Sequence, residues 1–306
     1  MAALSSLETT LLPGARELLA FHAHELPQRD DLCGAFCGAL ALHAAGVERR
    51  AGEPLDQDAV ALAAGSVVAA SDDPAHLPCG ERGRRDYRLA LPFVQDAAVS
   101  GTTAAGVRDA IEQLSGGALA AIPYSGPWTA ATLDGLFELA AACEKPVTLI
   151  ANLATRHLWG GRAGLNQLLD HLYTGASAGP PPDWEVGHFV CVFARVRGPH
   201  GALYGVADTY PALGWGGVHA QPSACLAAAI ARRDRSRETR ASGADRFEDA
   251  REASVAPIGP RFSQPAGGVL AVVAAADAAD ARAGATAVGL REELWDNGTV
   301  TVGAAA

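Results

Sequence analysis

Lysine is nearly missing from this chain: Lys145 is the only one among 24 basic residues, and the rest are arginine. Together with the abundant alanine this reads as the codon bias of a GC-rich genome and carries no mechanism. Net positive charge is missing too. With 24 basic against 34 acidic residues the formal net charge is −10, which excludes a nucleic-acid binder that reads phosphates through a broadly basic face. No run of 18 uncharged apolar residues occurs, so no membrane-spanning helix is expected. The opening stretch MAALSSLETTLLPGARELL has neither the basic start nor the unbroken apolar run of a secretory signal, and the expected location is the cytoplasm. Aromatic residues make up only 6%, so each one placed in a loop draws attention.

Other absences narrow the chemistry. The six cysteines, Cys33, Cys37, Cys79, Cys143, Cys191 and Cys225, include no two close-spaced pairs, which disfavours a four-cysteine zinc site. In a reducing compartment they are expected as free thiols, mostly small core residues. His22 and His24 stand two apart on a predicted helix and point to different sides, so no metal site is expected there. The glycine-rich run at 160–164 lacks the preceding strand and spacing of a phosphate-binding loop. No cofactor is expected.

What is present is enough for a sizeable core: 49% apolar and 19% charged residues over 306 positions rule out wholesale disorder. At about 150 residues per domain the length suggests two domains, as a soft prior only. Residues 7–24 read as an amphipathic helix interrupted near Pro13. The run CGAFCGALALHAAG, 33–46, reads as a small-residue helix, with Asp30 and Asp31 where an N-cap would sit. A helix over 56–70 precedes a surface excursion over 71–100. Helices are then predicted over 101–114 and 128–145, alternating with strands over 118–124 and 146–153. A short helix falls within 160–174, a linker follows over 175–184, and strands over 187–196 and 202–210 are joined by the turn GPHG. A helix over 221–233 closes this part. Residues 234–265 are charged and irregular; beyond them come a strand over 267–276 and a hairpin around Asp296, Asn297 and Gly298. There is no internal repeat. Helices first, then alternating units, then consecutive strands predict an α+β protein with a largely antiparallel sheet late in the chain.

Three segments can be combined into one site. In PQRDDLCGAFCGALAL, 27–42, Cys33 falls at a helix start, where the dipole and unpaired backbone N–H groups favour thiolate over thiol. In DWEVGHFVCVF, 183–193, His188 opens a strand and can project into a cleft. In LYGVADTYPALGW, 203–215, Asp208 ends the next strand. Pairing of these two strands through the GPHG turn would bring Asp208 to the imidazole of His188, where a carboxylate fixes the tautomer. Gln28 lies close enough before Cys33 for its side-chain N–H to join the Cys33 backbone N–H in an oxyanion hole. His219 follows a tryptophan-glycine loop and could line the cleft. Trp159, Trp184 and Trp215 sit in loops and are weaker candidates for the walls of a substrate groove.

Gln28, Cys33-Gly34 with its small-residue helix, Gly187-His188-Phe189-Val190 and Asp208 before Thr209-Tyr210-Pro211 together resemble papain-fold cysteine peptidases. The nearest likeness is to the bacterial leader-peptide (bacteriocin-processing) peptidases and the related papain-fold acyltransferases. The resemblance covers residues 25–46 and 185–233. It implies a papain-like α+β fold whose nucleophile helix packs on a largely antiparallel sheet. It also implies a thiolate–imidazolium pair of Cys33 and His188, with Asp208 orienting His188 and Gln28 lining the oxyanion hole. CGAFC also resembles the CGSC run of papain itself, in which the second cysteine attacks, and this makes Cys37 the alternative nucleophile.

The expected organisation is a thiol domain over 1–233 with an insertion around 71–100, and a C-terminal addition over 234–306 packed on the same domain. The expected activity is a cysteine hydrolase, a peptidase or amidase, acting on a peptide or small amide or acyl substrate, with no nucleic-acid or membrane partner. Acyl transfer through a Cys33 thioester, or a non-catalytic binding protein on the same fold, are the alternatives.

Overall fold

The computed structural model describes residues 7–71, 74–160, 162–182, 184–231 and 267–299. The first element departs from the predicted helix over 7–24. Residues Glu8–Leu11 form a strand, β1, and the helix α1 begins only at Ala15 and runs to Glu25. The β-branched pair Thr9-Thr10 suits an extended chain, and Pro13 cannot sit inside a continuous helix. Strand β1 pairs antiparallel with a later strand, Leu11 opposite Ala194.

The helix α2 (Cys33–Ala44) follows, then a two-stranded ribbon of β2 (Arg49–Arg50) and β3 (Glu53–Pro54), and then the helix α3 (Gln57–Ala64). Asp56 caps α3 by accepting from the Ala59 N–H at 2.9 Å. Nearly every side chain of α2 is buried, which is why its sequence is glycine, alanine and leucine. A Cβ on Gly34 would lie 3.0 Å from both Thr102 and Val107 and 3.2 Å from Phe189, and one on Gly38 would lie 2.9 Å from Val60. Those two glycines let α2 settle between neighbouring helices and the sheet.

The excursion over 71–100 holds short pieces only, with β4 (Val68–Ala69) before it pairing in parallel with β5 (Phe93–Val94). The alternating part matches its sequence pattern: α4 (Ala104–Leu114), β6 (Leu119–Ser125), α5 (Ala130–Ala141), β7 (Thr148–Ala154), α6 (Leu165–Thr174), β8 (Gly187–Arg197) and β9 (Ala202–Ala207). The predicted helix over 221–233 is preceded by an unforeseen strand. Residues Val218–Pro222 form β10, and α7 occupies Ser223–Ala231. After β11 (Gly268–Ala274) comes a helix, α8 (Ala278–Ala287), that the sequence reading did not foresee, and then a short strand β12 (Arg291–Glu292). Asp296–Gly298 do make a turn, the Gly298 N–H donating to Asp296 Oδ1 at 2.8 Å, but no strand flanks it among the described residues. The segment 234–265 lies outside the described residues.

The main sheet runs β10-β9-β8-β7-β11-β6-β12, with β1 beside the second half of β8, and every pairing is antiparallel. The protein is therefore a mixed α+β structure built on a large antiparallel sheet. Strands β6 and β7, joined through α5, are not neighbours. Strand β11 lies between them, Leu270 facing Pro123 on one side and Ile150 on the other. The tail strand, expected as part of an addition, is internal to the sheet.

Alternation along the strands sends side chains to two cores. Phe189, Cys191 and Phe193 of β8 join Ile150, Leu270 and Val272 beneath α2, α3 and α4. Val190, Val192, Leu149, Ala271 and Val273 face α5, α7 and α8. Both faces are covered, which explains the near-continuous apolar runs of β7, β8 and β11. No helix among the described residues is long and apolar enough to cross a membrane.

Candidate functional site

Cys33 is the first residue of α2, and no side chain caps that helix. The first-turn N–H groups and the positive end of the dipole therefore act on the thiol. Asp30 and Asp31, expected as the cap, are used elsewhere. Asp30 Oδ1 accepts from the Arg84 N–H at 2.8 Å. Asp31 accepts from the Ala69 N–H at 2.8 Å and the Ser100 hydroxyl at 2.9 Å. Their negative charges brace the loop before α2 instead of competing with the thiol for the helix end.

His188 is the second residue of β8 and stands opposite Leu153 of β7. Cys33 is close enough to act on its ring. Its Nε2 is engaged by Asp208 Oδ1 at 2.9 Å, so the nitrogen left for sulfur is Nδ1. His188 and Asp208 are 2% and 1% exposed, respectively, which removes most solvent screening from the pair. Burial alone would pull the His188 pKa down. The Asp208 charge and hydrogen bond, with Cys33 adding to them, outweigh it and carry the value up to about 10. For Asp208, burial pushes upward, and the charges and hydrogen bonds of His188 and His219 hold the carboxyl well below the usual carboxylate range.

Asp208 sits just past β9, where the chain turns. Its N–H donates to the Gly217 carbonyl at 2.7 Å and its carbonyl accepts from His22 Nε2 at 2.6 Å. Burial lowers the His22 pKa against the pull of that carbonyl and the Asp208 charge. Oδ1 of Asp208 also accepts from the Thr209 N–H at 2.7 Å, and Oδ2 is engaged by His219 Nε2 at 3.0 Å. His219, foreseen as a cleft-lining residue, is thus bonded to the carboxylate itself.

Two aromatic rings enclose the pair. Trp184 meets His188 edge-on at 4.8 Å, and Tyr210 lies nearly parallel to His188 at 6.3 Å. Trp184 and Tyr210 touch each other at 5.6 Å. Burial pushes the Tyr210 hydroxyl well above its ordinary pKa, and the nearby charges of Cys33, Asp30, Asp31 and Asp208 add to this. Of the tryptophans expected as groove walls, Trp159 and Trp184 line a small cavity with Asp208 and His219, and Trp184 also covers His188. Trp159 is buried edge-on against His171 at 5.6 Å, and only Trp215 is exposed, at 52%.

Gln28 follows the cis peptide Leu26-Pro27 and is buried. Its backbone N–H donates to the Thr209 carbonyl at 2.9 Å, tying the Cys33 loop to the Asp208 turn. Its Nε2 donates to the Tyr210 hydroxyl at 2.9 Å, and Oε1 has no hydrogen-bond partner among the described residues. The two ends of an amide are interchanged by a half-turn of the last bond. Such a half-turn would let Oε1 accept from the Tyr210 O–H and would place Nε2, a buried N–H donor, at the unpartnered position.

Cys37 lies one turn deeper in α2 and is fully buried, with its carbonyl facing the Cys191 thiol at 3.8 Å. Burial, aided by the neighbouring Cys191, pushes its thiol pKa well above the ordinary value. The thiol is sealed in the core under α2 and has no path to a substrate.

The excursion over 71–100 holds the two halves of the site together. Arg84 binds Asp30 through both backbone groups and donates from Nη1 to the Pro27 carbonyl at 2.9 Å. Glu81 accepts from the Ala212 N–H across the site. Arg29, beside Gln28, pairs with the buried carboxylate of Asp58 at 2.7 Å.

His22, Tyr210, Gln221 and this bracing excursion escaped the sequence reading. A signal existed for Gln221: His219-Ala-Gln221 places two polar side chains on one face of a strand. His22 offered none, because its partner is a backbone carbonyl 186 residues away. A family model matches residues 12–241, a stretch that carries every residue of this site. The chain belongs to the DUF6885 family. That family is described as one of unknown function. Its match ends before β11, so the inserted strand lies outside the matched part. No curated protein matches the chain.

Proposed function

We propose that this DUF6885 member is a papain-like thiol hydrolase that cleaves an amide bond, with a peptide or small amide as substrate. One observation carries the reading. A cysteine at an uncapped helix start acts on a buried histidine whose Nε2 is held by an aspartate at 2.9 Å. In this reading the proton of Cys33 resides on His188, and the resulting imidazolium is held by Asp208. Cys33 Sγ attacks the substrate carbonyl carbon, and the π electrons move onto oxygen. The Cys33 backbone N–H and Gln28 Nε2 receive that oxyanion. His188 gives its proton to the departing amine as the C–N bond breaks, leaving a thioester on Cys33. Water then loses a proton to His188 and attacks the thioester. The carboxylic acid leaves, and the proton returns to the Cys33–His188 pair. Cys33 is the nucleophile in preference to Cys37, which burial keeps protonated and out of reach.

The test is labelling with iodoacetamide at neutral pH, with the modified cysteine located by mass spectrometry. Wild-type protein is expected to label at Cys33 at least about tenfold faster than exposed Cys79, because thiolate fraction sets the rate. His188→Ala should bring Cys33 down to the rate of an ordinary thiol. Labelling of Cys33 that is slow and indifferent to His188→Ala would overturn the assignment.

A further inference from the structure

Asp208 presents two oxygens to two imidazoles. His188 takes Oδ1 at 2.9 Å and His219 takes Oδ2 at 3.0 Å. The two histidines come from different strands, β8 and β10, and both are buried. The proposed hydrolysis uses only the first, and the second is wired more firmly than packing requires.

The wiring starts at Trp159. Its backbone N–H donates to Gln221 Oε1 at 2.7 Å, and its carbonyl accepts from Gln221 Nε2 at 2.9 Å. Both bonds are satisfied in only one orientation of the amide, so the backbone decides which way Gln221 points. The second N–H of that amide is then directed at His219 Nδ1, 3.1 Å away. A nitrogen that receives an N–H must offer a lone pair. The ring proton of His219 therefore sits on Nε2, aimed at Asp208. Two residues apart on β10, His219 and Gln221 share one face of the strand, and this is what allows one to fix the tautomer of the other.

The remaining groups around Asp208 complete the clamp. The Thr209 N–H reaches Oδ1, and His22 from α1 holds the Asp208 carbonyl. Cys33 and Cys37 from α2 and Tyr210 are further titratable neighbours. No lysine or arginine takes part in these contacts. The Asp208 charge is balanced by imidazole and backbone donors alone. A carboxylate with one oxygen pinned by His219 and the other shared between the Thr209 N–H and His188 has no freedom to rotate away from the catalytic ring.

We infer that His219 is a positioning residue: a Gln221-locked histidine that fixes the second oxygen of Asp208 and so holds the His188 side of the thiol pair in register. The inference rests on the thiol-hydrolase reading for its purpose, but its geometry can be tested without a substrate.

Long-range proton–nitrogen NMR on the full chain reads the tautomers of the individual histidines and the titration of His188. In wild-type protein at neutral pH, His219 should carry its proton on Nε2 with Nδ1 bare; a proton on Nδ1 would overturn the inference without recourse to any variant. His219→Leu, which removes the donor, should lower the His188 titration midpoint by at least about one pH unit, equivalent to a tenfold change in proton affinity. His219→Gln, whose amide can still donate to Asp208, should keep most of the wild-type midpoint. Gln221→Leu should release the lock and give His219 a mixture of tautomers. If His219→Leu shifts only thermal stability and leaves the His188 titration in place, His219 is structural and the inference fails. That outcome is distinct from failure of the hydrolase reading, which would appear as Cys33 labelling indifferent to His188→Ala.

Discussion

At the scale of single residues, the decisive feature is a buried pair of opposite charges beside a thiol. A histidine whose folded pKa is raised binds its proton more tightly in the native state than in the unfolded chain. The stabilisation is complete below the ordinary histidine pKa of 6.5 and is lost as pH rises toward about 10. For Asp208, held below the carboxylate range, the contribution is present above the ordinary value of 3.8 and lost as pH falls below it. Denaturant unfolding measured between pH 6.5 and pH 10 should therefore show stability falling in the wild type, and His188→Ala should flatten that fall. Both partners were legible in the sequence because the turn at 198–201 is short and fixes the β8–β9 register, which brings Asp208 back to His188. His219 and Gln221 were harder to see: β10 blends into the alanine-rich helix that follows it, and its polar alternation is only two residues long. The burial of the tryptophans was hard to see for a different reason. Residues in loops are commonly exposed, yet Trp159 and Trp184 are turned inward by ring contacts that arise from distant parts of the chain.

Among elements, the loop from 25 to 32 bears the heaviest demands, since it must present Gln28 and launch α2 at Cys33. The N-terminal turn of α3 holds it. Glu25 accepts from the Gln57 N–H, Gln57 accepts from the Arg29 N–H, and Asp58 pairs with Arg29 at 2.7 Å while also accepting from the Arg88 N–H at 2.8 Å. Asp58 is fully buried, and removing one member of such a pair leaves a charge without its partner. Asp58→Ala is expected to cost about 3 kcal/mol in stability, read as a lowered midpoint of thermal or urea unfolding. The same variant should slow Cys33 labelling, because Arg29 adjoins Gln28. A change in unfolding smaller than about 1 kcal/mol, the scale of an exposed ion pair, would show that the clamp is weak. The helices and strands of the middle of the chain could be read because helical periods and short apolar runs succeed one another there, separated by glycine- and proline-containing breaks. The bracing role of the excursion could not, because its bonds join side chains to backbone groups far away in sequence, such as that between Asp30 and the Arg84 N–H.

For the molecule as a whole, the organising fact is the place of β11. Strands β6 and β7 run side by side in sequence but leave a gap in space, and a segment more than a hundred residues later fills it. Nothing local in the sequence marks that destination, since an apolar run such as GVLAVVA suits any slot covered on both faces. Removing residues 267–306 should leave two buried strand edges without partners, and the shortened chain is expected to aggregate on expression where the full chain stays in the supernatant. The same segment reaches the site. Trp295 donates to Asn152 at 3.1 Å, and Asn152 in turn donates to the His188 carbonyl at 3.2 Å. During synthesis, then, the ribosome releases the cysteine, the histidine and the aspartate long before the strand that unites the sheet behind them. A nascent chain therefore carries all three residues before the sheet that backs them can close, and the slot between β6 and β7 stays open until β11 enters it.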